Sequence, residues 1–324
     1  MVTLSDIQAA RARIAPAIVR TPLVPLPGVS NPDLLLKLES LQPMGAFKLR
    51  GAYNALASLS AAERAAGVIA HSSGNHAQAV AYAARALGIR ATIVMPRNAP
   101  AIKLERTKAY GANVVLVGNA STERAKKCAE LAAQHGYEEI LPFDDTRVIA
   151  GQGTLGVEIA EDAPQTDLVL VPVSGGGLIS GVAVAIKSLL PNARVVGVEP
   201  SLASDAQASL RAGLIVAFPA DQTAQTMADG LRVHRLGDVT WPHIKEYVDD
   251  IVTVSEEEIE EAMRALAFQG RVLSEPSGAV TTAAWLYHRG ALPEAKHPVA
   301  VVSGGNIDTA QLVHILGKGH DKAE

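Results

Sequence analysis

The sequence predicts an α/β protein made of two open parallel sheets. Short β-branched runs alternate with alanine-rich helical stretches for most of its 324 residues. The strand-like runs are apolar from end to end, so both of their faces are expected to lie under helices. Neither a low-complexity segment nor a polar linker interrupts the pattern, so chain crossings must separate any domains.

The elements follow in order. Leu34 to Leu38 reads as a strand. Val68 to His71 is a strand followed by a helix from Ala77 to Leu87, which Gly88 ends. Ala91 to Met95 is a strand stopped by Pro96, and Ala101 to Tyr110 is a helix ended by Gly111. Val114 to Val117 and the helix Thr122 to His135 repeat the unit. A helix from about Arg147 to Glu161 follows Asp144-Asp145. Then come the strand Leu168 to Val171, a glycine loop, a helix to about Leu190 and the strand Arg194 to Val198. Ser255-Glu256-Glu257-Glu258 opens a helix with a capping box, and His297 to Val302 is one more buried strand. The expected division is a small domain of residues 67–146 inserted into a large one of residues 1–66 plus 147–324.

Composition narrows the function. Net charge is −4 with acids and bases interspersed, which argues against a nucleic-acid partner. Aromatic residues, at 4%, are too scarce for a base-stacking platform. Cys128 is the only cysteine, so no internal disulfide or paired redox site exists. Met1 to Asp6 lacks the basic and apolar segments of a signal peptide, and no apolar run is long enough for a bilayer. A cytoplasmic protein with no membrane partner is expected.

Five polar segments stand out. Lys48 lies among small residues in Gly45-Ala46-Phe47-Lys48-Leu49-Arg50-Gly51-Ala52. A lysine that attacks an aldehyde must be neutral, and burial lowers its pKa toward that state. A solvated lysine at a helix start is the alternative. Ser174-Gly175-Gly176-Gly177-Leu178 follows a strand and precedes a helix, an arrangement that offers backbone amides to a phosphate or carboxylate. Gly175, Gly177 and Gly181, with Glu199 after the next strand, also imitate a loosened dinucleotide fingerprint. Its spacing is wrong, which leaves NAD binding or simple ligand binding as the distant rival. His71-Ser72-Ser73-Gly74-Asn75-His76 presents hydroxyls and amides to a small carboxylate, or else Ser73 or Asn75 merely caps the helix. Ser303-Gly304-Gly305-Asn306 and Glu275-Pro276-Ser277-Gly278 place polar groups after a buried strand and before a helix start.

In this order the motifs resemble those of fold-type II pyridoxal-phosphate enzymes, a tryptophan synthase β-like fold, and most closely the serine racemase and threonine/serine dehydratase branch. The resemblance covers almost the whole chain. It implies pyridoxal 5'-phosphate as cofactor, with Lys48 as the Schiff-base residue and Phe47 packed by the ring. Asn75 would bond the phenolic oxygen, Ser174 to Leu178 would hold the phosphate, Ser303 would face the pyridine nitrogen, and Glu275 would adjoin the cofactor. A serine hydroxyl is too weak an acid to keep that nitrogen protonated, which favours prompt loss of a β-hydroxyl or quick reprotonation at Cα.

The same resemblance implies a small hydroxy amino acid substrate, held by Ser72, Ser73, Asn75 and His76 with Arg147 and Asp229 nearby. The expected reaction is dehydration of L-serine or L-threonine to a 2-oxo acid and ammonia. Racemisation, or dehydration of threo-3-hydroxyaspartate, is the alternative. Ser73 stands where biosynthetic threonine dehydratases usually have alanine, so it is expected to serve as a second base opposite Lys48. Glu199, the Ala203 carbonyl and Asp205 would bind Mg2+ or Ca2+, whose hardness suits oxygen ligands. The family usually has Thr-Gly-Ser where this chain has Met44-Gly45-Ala46, so nucleotide activation is not expected to carry over. No C-terminal regulatory domain is expected after Ser303, and a homodimer is.

Overall fold

A computed structural model describes residues 1–28, 32–72, 74–99, 101–118 and 121–317. Its strands are β1 (Leu23–Leu26), β2 (Leu34–Leu38), β3 (Val68–His71), β4 (Ala91–Pro96), β5 (Asn113–Val117), β6 (Glu138–Glu139), β7 (Leu168–Pro172), β8 (Arg194–Pro200), β9 (Asp250–Val254) and β10 (Pro298–Val302). They form a six-stranded sheet in the order β1-β2-β10-β7-β8-β9 and a four-stranded sheet in the order β5-β4-β3-β6. The smaller sheet draws all its strands from between Val68 and Glu139.

Every pairing is parallel except β1 with β2. The sequence reading missed that antiparallel edge strand. The link from Leu26 to Leu34 is too short for the helical crossover that a parallel pair needs. β7 and β10 are buried along their whole length, as two-sided cover requires.

The order of the large sheet positions the site. β10, the last strand, slots between β2 and β7, with Val302 opposite Leu38 and Ala300 opposite Leu170. The carboxyl ends of β2, β10 and β7 therefore stand side by side. The chain leaves them toward Lys48, Ser303 and the glycine loop respectively, and this edge is where open α/β sheets bind ligands.

Helix Thr146–Asp162 crosses helix Gly177–Leu189 behind that edge at very short range. A Cβ on Gly181 would lie 2.3 Å from the Ile149 carbonyl oxygen and 2.5 Å from the Gly153 nitrogen. Gly181 is thus a packing glycine, required by the close crossing of the two helices.

Helix Lys48–Ala57 is anchored by a buried ion cluster that the sequence reading did not anticipate. The Arg50 guanidinium donates from Nε to Glu39 at 2.8 Å and from Nη1 to Glu158 at 2.7 Å. Lys37, wholly buried on β2, donates to Glu158 at 2.7 Å and to the Thr21 carbonyl at 2.6 Å. The Thr21 hydroxyl donates to Glu39 at 2.6 Å. Each buried charge thus has opposite charge and further hydrogen bonds, the condition under which burial is tolerated.

Arg50→Met would leave Glu39 and Glu158 facing each other without their shared cation. A loss of about 3–5 kcal/mol in unfolding free energy is expected, measured by urea titration against wild type.

Candidate active site

The motif segments meet through direct contacts. The Phe47 N–H donates to the Ser303 carbonyl at 3.0 Å, and Gly305 N–H donates to the Gly45 carbonyl at 2.9 Å. Ala46 and Gly304 form an isolated antiparallel bridge. Glu275 N–H donates to the Gly304 carbonyl at 3.0 Å. Gly304 has no Cβ where one is needed least, because a Cβ there would fall 2.2 Å from the Glu275 carboxylate.

Lys48 is the first residue of its helix and lies partly buried, its Nζ donating to the Pro142 carbonyl at 2.7 Å. Its Nζ stands 5.2 Å from the centre of the Phe47 ring. Burial, with no carboxylate to offset it, pushes the Lys48 amine down to about 8. The aldehyde-attack reading required this condition; a solvated helix-start lysine would keep its ordinary value.

The residue after Pro142 reaches the glycine loop. The Phe143 ring lies where a Cβ on Gly175 would sit, at 2.4 Å. Gly176, at φ +96°, is the N-cap of helix Gly177–Leu189 in a conformation that strains any other residue. Thr240 Oγ1 donates to the Gly175 carbonyl at 2.7 Å, which fixes the loop from outside. The first-turn amides of the helix lack intrahelical acceptors. The Ser174 hydroxyl is buried with no partner. An orphaned hydroxyl beside free amides fits a phosphate. Leu178 contributes only backbone here, since its side chain packs into the core.

On the smaller sheet, Gly74 is the N-cap of helix Asn75–Leu87 and Asn75 is its first residue, so Asn75 does not fill the cap role. Asn75 is therefore free to face the site. Its Nδ2 donates to Glu275 and its Oδ1 accepts from Asn306 at 2.9 Å. The Ser72 hydroxyl accepts from Gly74 N–H at 3.1 Å, and Ser73 lies outside the described residues. His76 Nε2 donates to the Ile140 carbonyl at 2.8 Å. Burial, with the neighbouring Lys48 charge adding to it, pushes His76 down to about 3, so its ring is neutral at physiological pH.

Glu275 is buried, and that burial pushes its carboxyl up to about 7 against the pull of Lys103. Lys103 lies 3.7 Å from Glu275 and forms an ion pair with Asp229, which is thereby held at the site. Ser303, 4% exposed, has its hydroxyl 3.3 Å from the Ser277 carbonyl.

Arg147 carries ion pairs that the sequence reading did not include. Its guanidinium is committed to Asp145 at 2.7 Å and to Glu138 at 3.1 Å, and Asp145 also caps its helix. Those two carboxylates occupy its guanidinium. Lys103, Arg106 and Asn306 belong to the site's polar frame but were not assigned from sequence. Asn306 closes the Ser303-Gly304-Gly305-Asn306 motif. Lys103 and Arg106, three apart on one helix, gave the only other signal.

Glu199 accepts from Ala206 N–H at 3.1 Å and Gln207 N–H at 2.8 Å, so it has no ribose-binding posture. Both carboxylate oxygens of the neighbouring Asp205 are buried without partners. Burial raises both groups, Asp205 to about 7 and Glu199 well above its usual range, with Asp205 adding to the latter. Two unbalanced buried carboxylates, with Ala203 also buried beside them, fit a hard cation. Among the described residues no group of three His, Cys, Asp or Glu side chains is gathered for a metal, so a third protein ligand would have to be backbone.

Comparison with known proteins agrees with this arrangement. A family model described as "Pyridoxal-phosphate dependent enzyme" matches residues 14–304. The chain belongs to that family. It is 45% identical over 322 residues to an L-threonine ammonia-lyase of Thermotoga maritima, covering 98% of this chain and 79% of that one. It is 40% identical to a serine racemase of rice, Oryza sativa, covering 97% and 94%. The structure of maize serine racemase superimposes with a TM-score of 0.92 at 39% identity, covering 99% and 98% of the two chains. The fold is accordingly that of the fold-type II members of the family. Family membership also disposes of the NAD reading.

Because the neutral amine is the attacking form, uptake of pyridoxal phosphate by apoprotein is expected to accelerate as pH rises, with a midpoint near 8. Stopped-flow absorbance checks this. A midpoint near the ordinary lysine value of about 10.4 would show a solvated amine.

Proposed function

We propose that this protein is a pyridoxal-phosphate-dependent dehydratase that converts L-serine or L-threonine to a 2-oxo acid and ammonia. The observation that carries this reading is the buried, acid-free Lys48 amine, set among the Ser303, Asn75 and Ser174–Leu178 segments in a family whose relatives include a threonine ammonia-lyase. When bound, the cofactor supplies an aldehyde for the substrate amine and a conjugated ring that accepts electrons from the Cα–H bond.

The chain's own residues account for the rest. The orphaned Ser174 hydroxyl and the amides of Gly175 to Leu178 hold the phosphate. The Ser72–His76 loop binds the substrate carboxylate, with His76 neutral and locked by Ile140. The Lys48 amine takes the Cα proton. Loss of that proton and the β-hydroxyl removes one water. Its return at the released enamine gives the 2-oxo acid and ammonia. Ser303 would face the ring nitrogen and, as a weak acid, would leave it unprotonated, which would favour prompt elimination.

The rice and maize relatives favour one second reading, racemisation with elimination on the side. There Ser73 exchanges the Cα proton on the face opposite Lys48. Lys48→Ala is expected to lose the visible cofactor absorbance and to release ammonia at least about 10³-fold more slowly. Wild type and Ser73→Ala should be followed for chirality and ammonia together, on both enantiomers of serine, threonine and 3-hydroxyaspartate. Selective loss of inversion in Ser73→Ala would establish the second base, whereas unchanged inversion would dismiss it.

Glu199, Asp205 and the Ala203 carbonyl form the proposed Mg2+ or Ca2+ site. Added metal is expected to raise the melting temperature and chelator to lower it, with Asp205→Asn insensitive to both. Light scattering on the same samples checks the proposed homodimer. Among the described residues no helix is long and apolar enough to cross a membrane, which is compatible with the proposed cytoplasmic location.

A further inference from the structure

Helix Ala101–Ala109 carries an exposed arginine that reaches across the crevice between the sheets. The Arg106 Nη1 donates to Asn306 Oδ1 at 2.5 Å. The Asn306 Nδ2 donates both to the Met44 carbonyl and to Asn75 Oδ1, each at 2.9 Å. The Asn75 Nδ2 then donates to Glu275. Asn306 itself is 4% exposed and pressed against Gly45, where a Cβ would fall 2.5 Å from its Oδ1. That glycine has φ +83°, so the close approach and the backbone conformation require the same residue.

The ends of this chain of bonds fix its direction. A guanidinium has donors and no acceptor, while the Met44 carbonyl has only acceptor capacity. Asn306 can satisfy both in one orientation of its amide and not in the other. Its Nδ2 must then point at Asn75, which has to answer with its oxygen. The nitrogen of Asn75 is thereby turned toward Glu275 and the site. Lys103, on the same helix, stands 3.7 Å from the far side of the Glu275 carboxylate and supports the accepting end.

We infer that Arg106 is a positioning residue whose bond to Asn306 sets the orientation of the Asn75 amide through this one-way relay. The inference rests on the pyridoxal-phosphate reading, in which Asn75 presents an N–H to the cofactor. A flipped Asn75 would present its oxygen to the cofactor's phenolic oxygen, acceptor against acceptor. Arg106 thus reaches the reacting centre through two amides without touching it.

Three holoenzyme variants test this: Arg106→Lys, Arg106→Ala and Arg106→Glu. The cofactor dissociation constant, the absorption maximum of the bound cofactor, kcat and KM are read for each, with apoprotein melting temperature as the folding control. Position 106 is exposed and helical, and alanine suits a helix, so the melting temperature should stay within about 2 °C. Arg106→Ala is expected to raise the dissociation constant about fivefold and to shift the absorption maximum, the effect of one lost hydrogen bond. Arg106→Glu puts an acceptor where a donor stood and should raise it about twentyfold or more. Arg106→Lys restores a donor-only partner and should return it to within about twofold of wild type. The loss should appear mainly in kcat, with KM for the amino acid changed less than about twofold. Equal effects of Lys, Ala and Glu, or wild-type affinity and absorbance in all three, would overturn the relay while leaving the proposed function intact. A wild-type protein that takes up no pyridoxal phosphate would overturn both.

Discussion

Arg50 is wholly buried between two carboxylates from different parts of the chain, and the geometry of the site descends from that placement. Glu39 follows β2, Glu158 lies on helix Thr146–Asp162, and Arg50 is two residues beyond Lys48. One guanidinium therefore ties the sheet, the helix that starts at Lys48, and the helix behind the glycine loop. Arginine suits the task because its planar fork makes several bonds at fixed angles and it cannot shed its charge. Two residues away, Lys48 has the opposite setting, with burial but no carboxylate, so its proton is held loosely. The fold gives two neighbouring cations opposite fates by giving only one of them acidic partners.

A similar contrast runs through the other titratable groups. Burial keeps His76 neutral and leaves it one bond, to a carbonyl. Burial also raises Glu275, yet Lys103 and Asn75 still give that carboxylate partners. At Glu199 and Asp205 burial has no cationic side chain against it, and the unsatisfied Asp205 oxygens are the physical motive for a cation there. The Arg50 cluster, with complete partners, holds shape, whereas the orphaned Ser174 hydroxyl and Asp205 oxygens sit at the two places where a ligand is proposed.

Much of the fold was legible because its signals are local. Apolar runs marked β3, β4, β7, β8 and β10 to within two residues, and Ser255 with Glu258 forms the expected capping box. The antiparallel β1 was missed, since a four-residue run with a central proline gives almost no periodic signal. The ion pairs of Arg147 with Asp145 and Glu138 could not be read from sequence, because nothing local shows which carboxylates reach it. The close helix crossing that requires Gly181 joins residues about thirty apart and could not be read from the local glycine pattern.

The sequence by itself determined the class of fold, the family and the ordered motifs, because hydrophobic period, turn chemistry and short loops are properties of neighbouring residues. Tertiary structure alone decided which polar residues serve together. Insertion of β10 between β2 and β7 brings Ser303 to Phe47, and closing the two sheets brings Asn75, Asn306 and Glu275 into one hydrogen-bonded line. Partners separated by two hundred residues or more, such as Asn75 and Glu275, leave no mark in local pattern. Their pairing follows from the need to satisfy every buried donor and acceptor at once, a condition that exists only when the chain is folded.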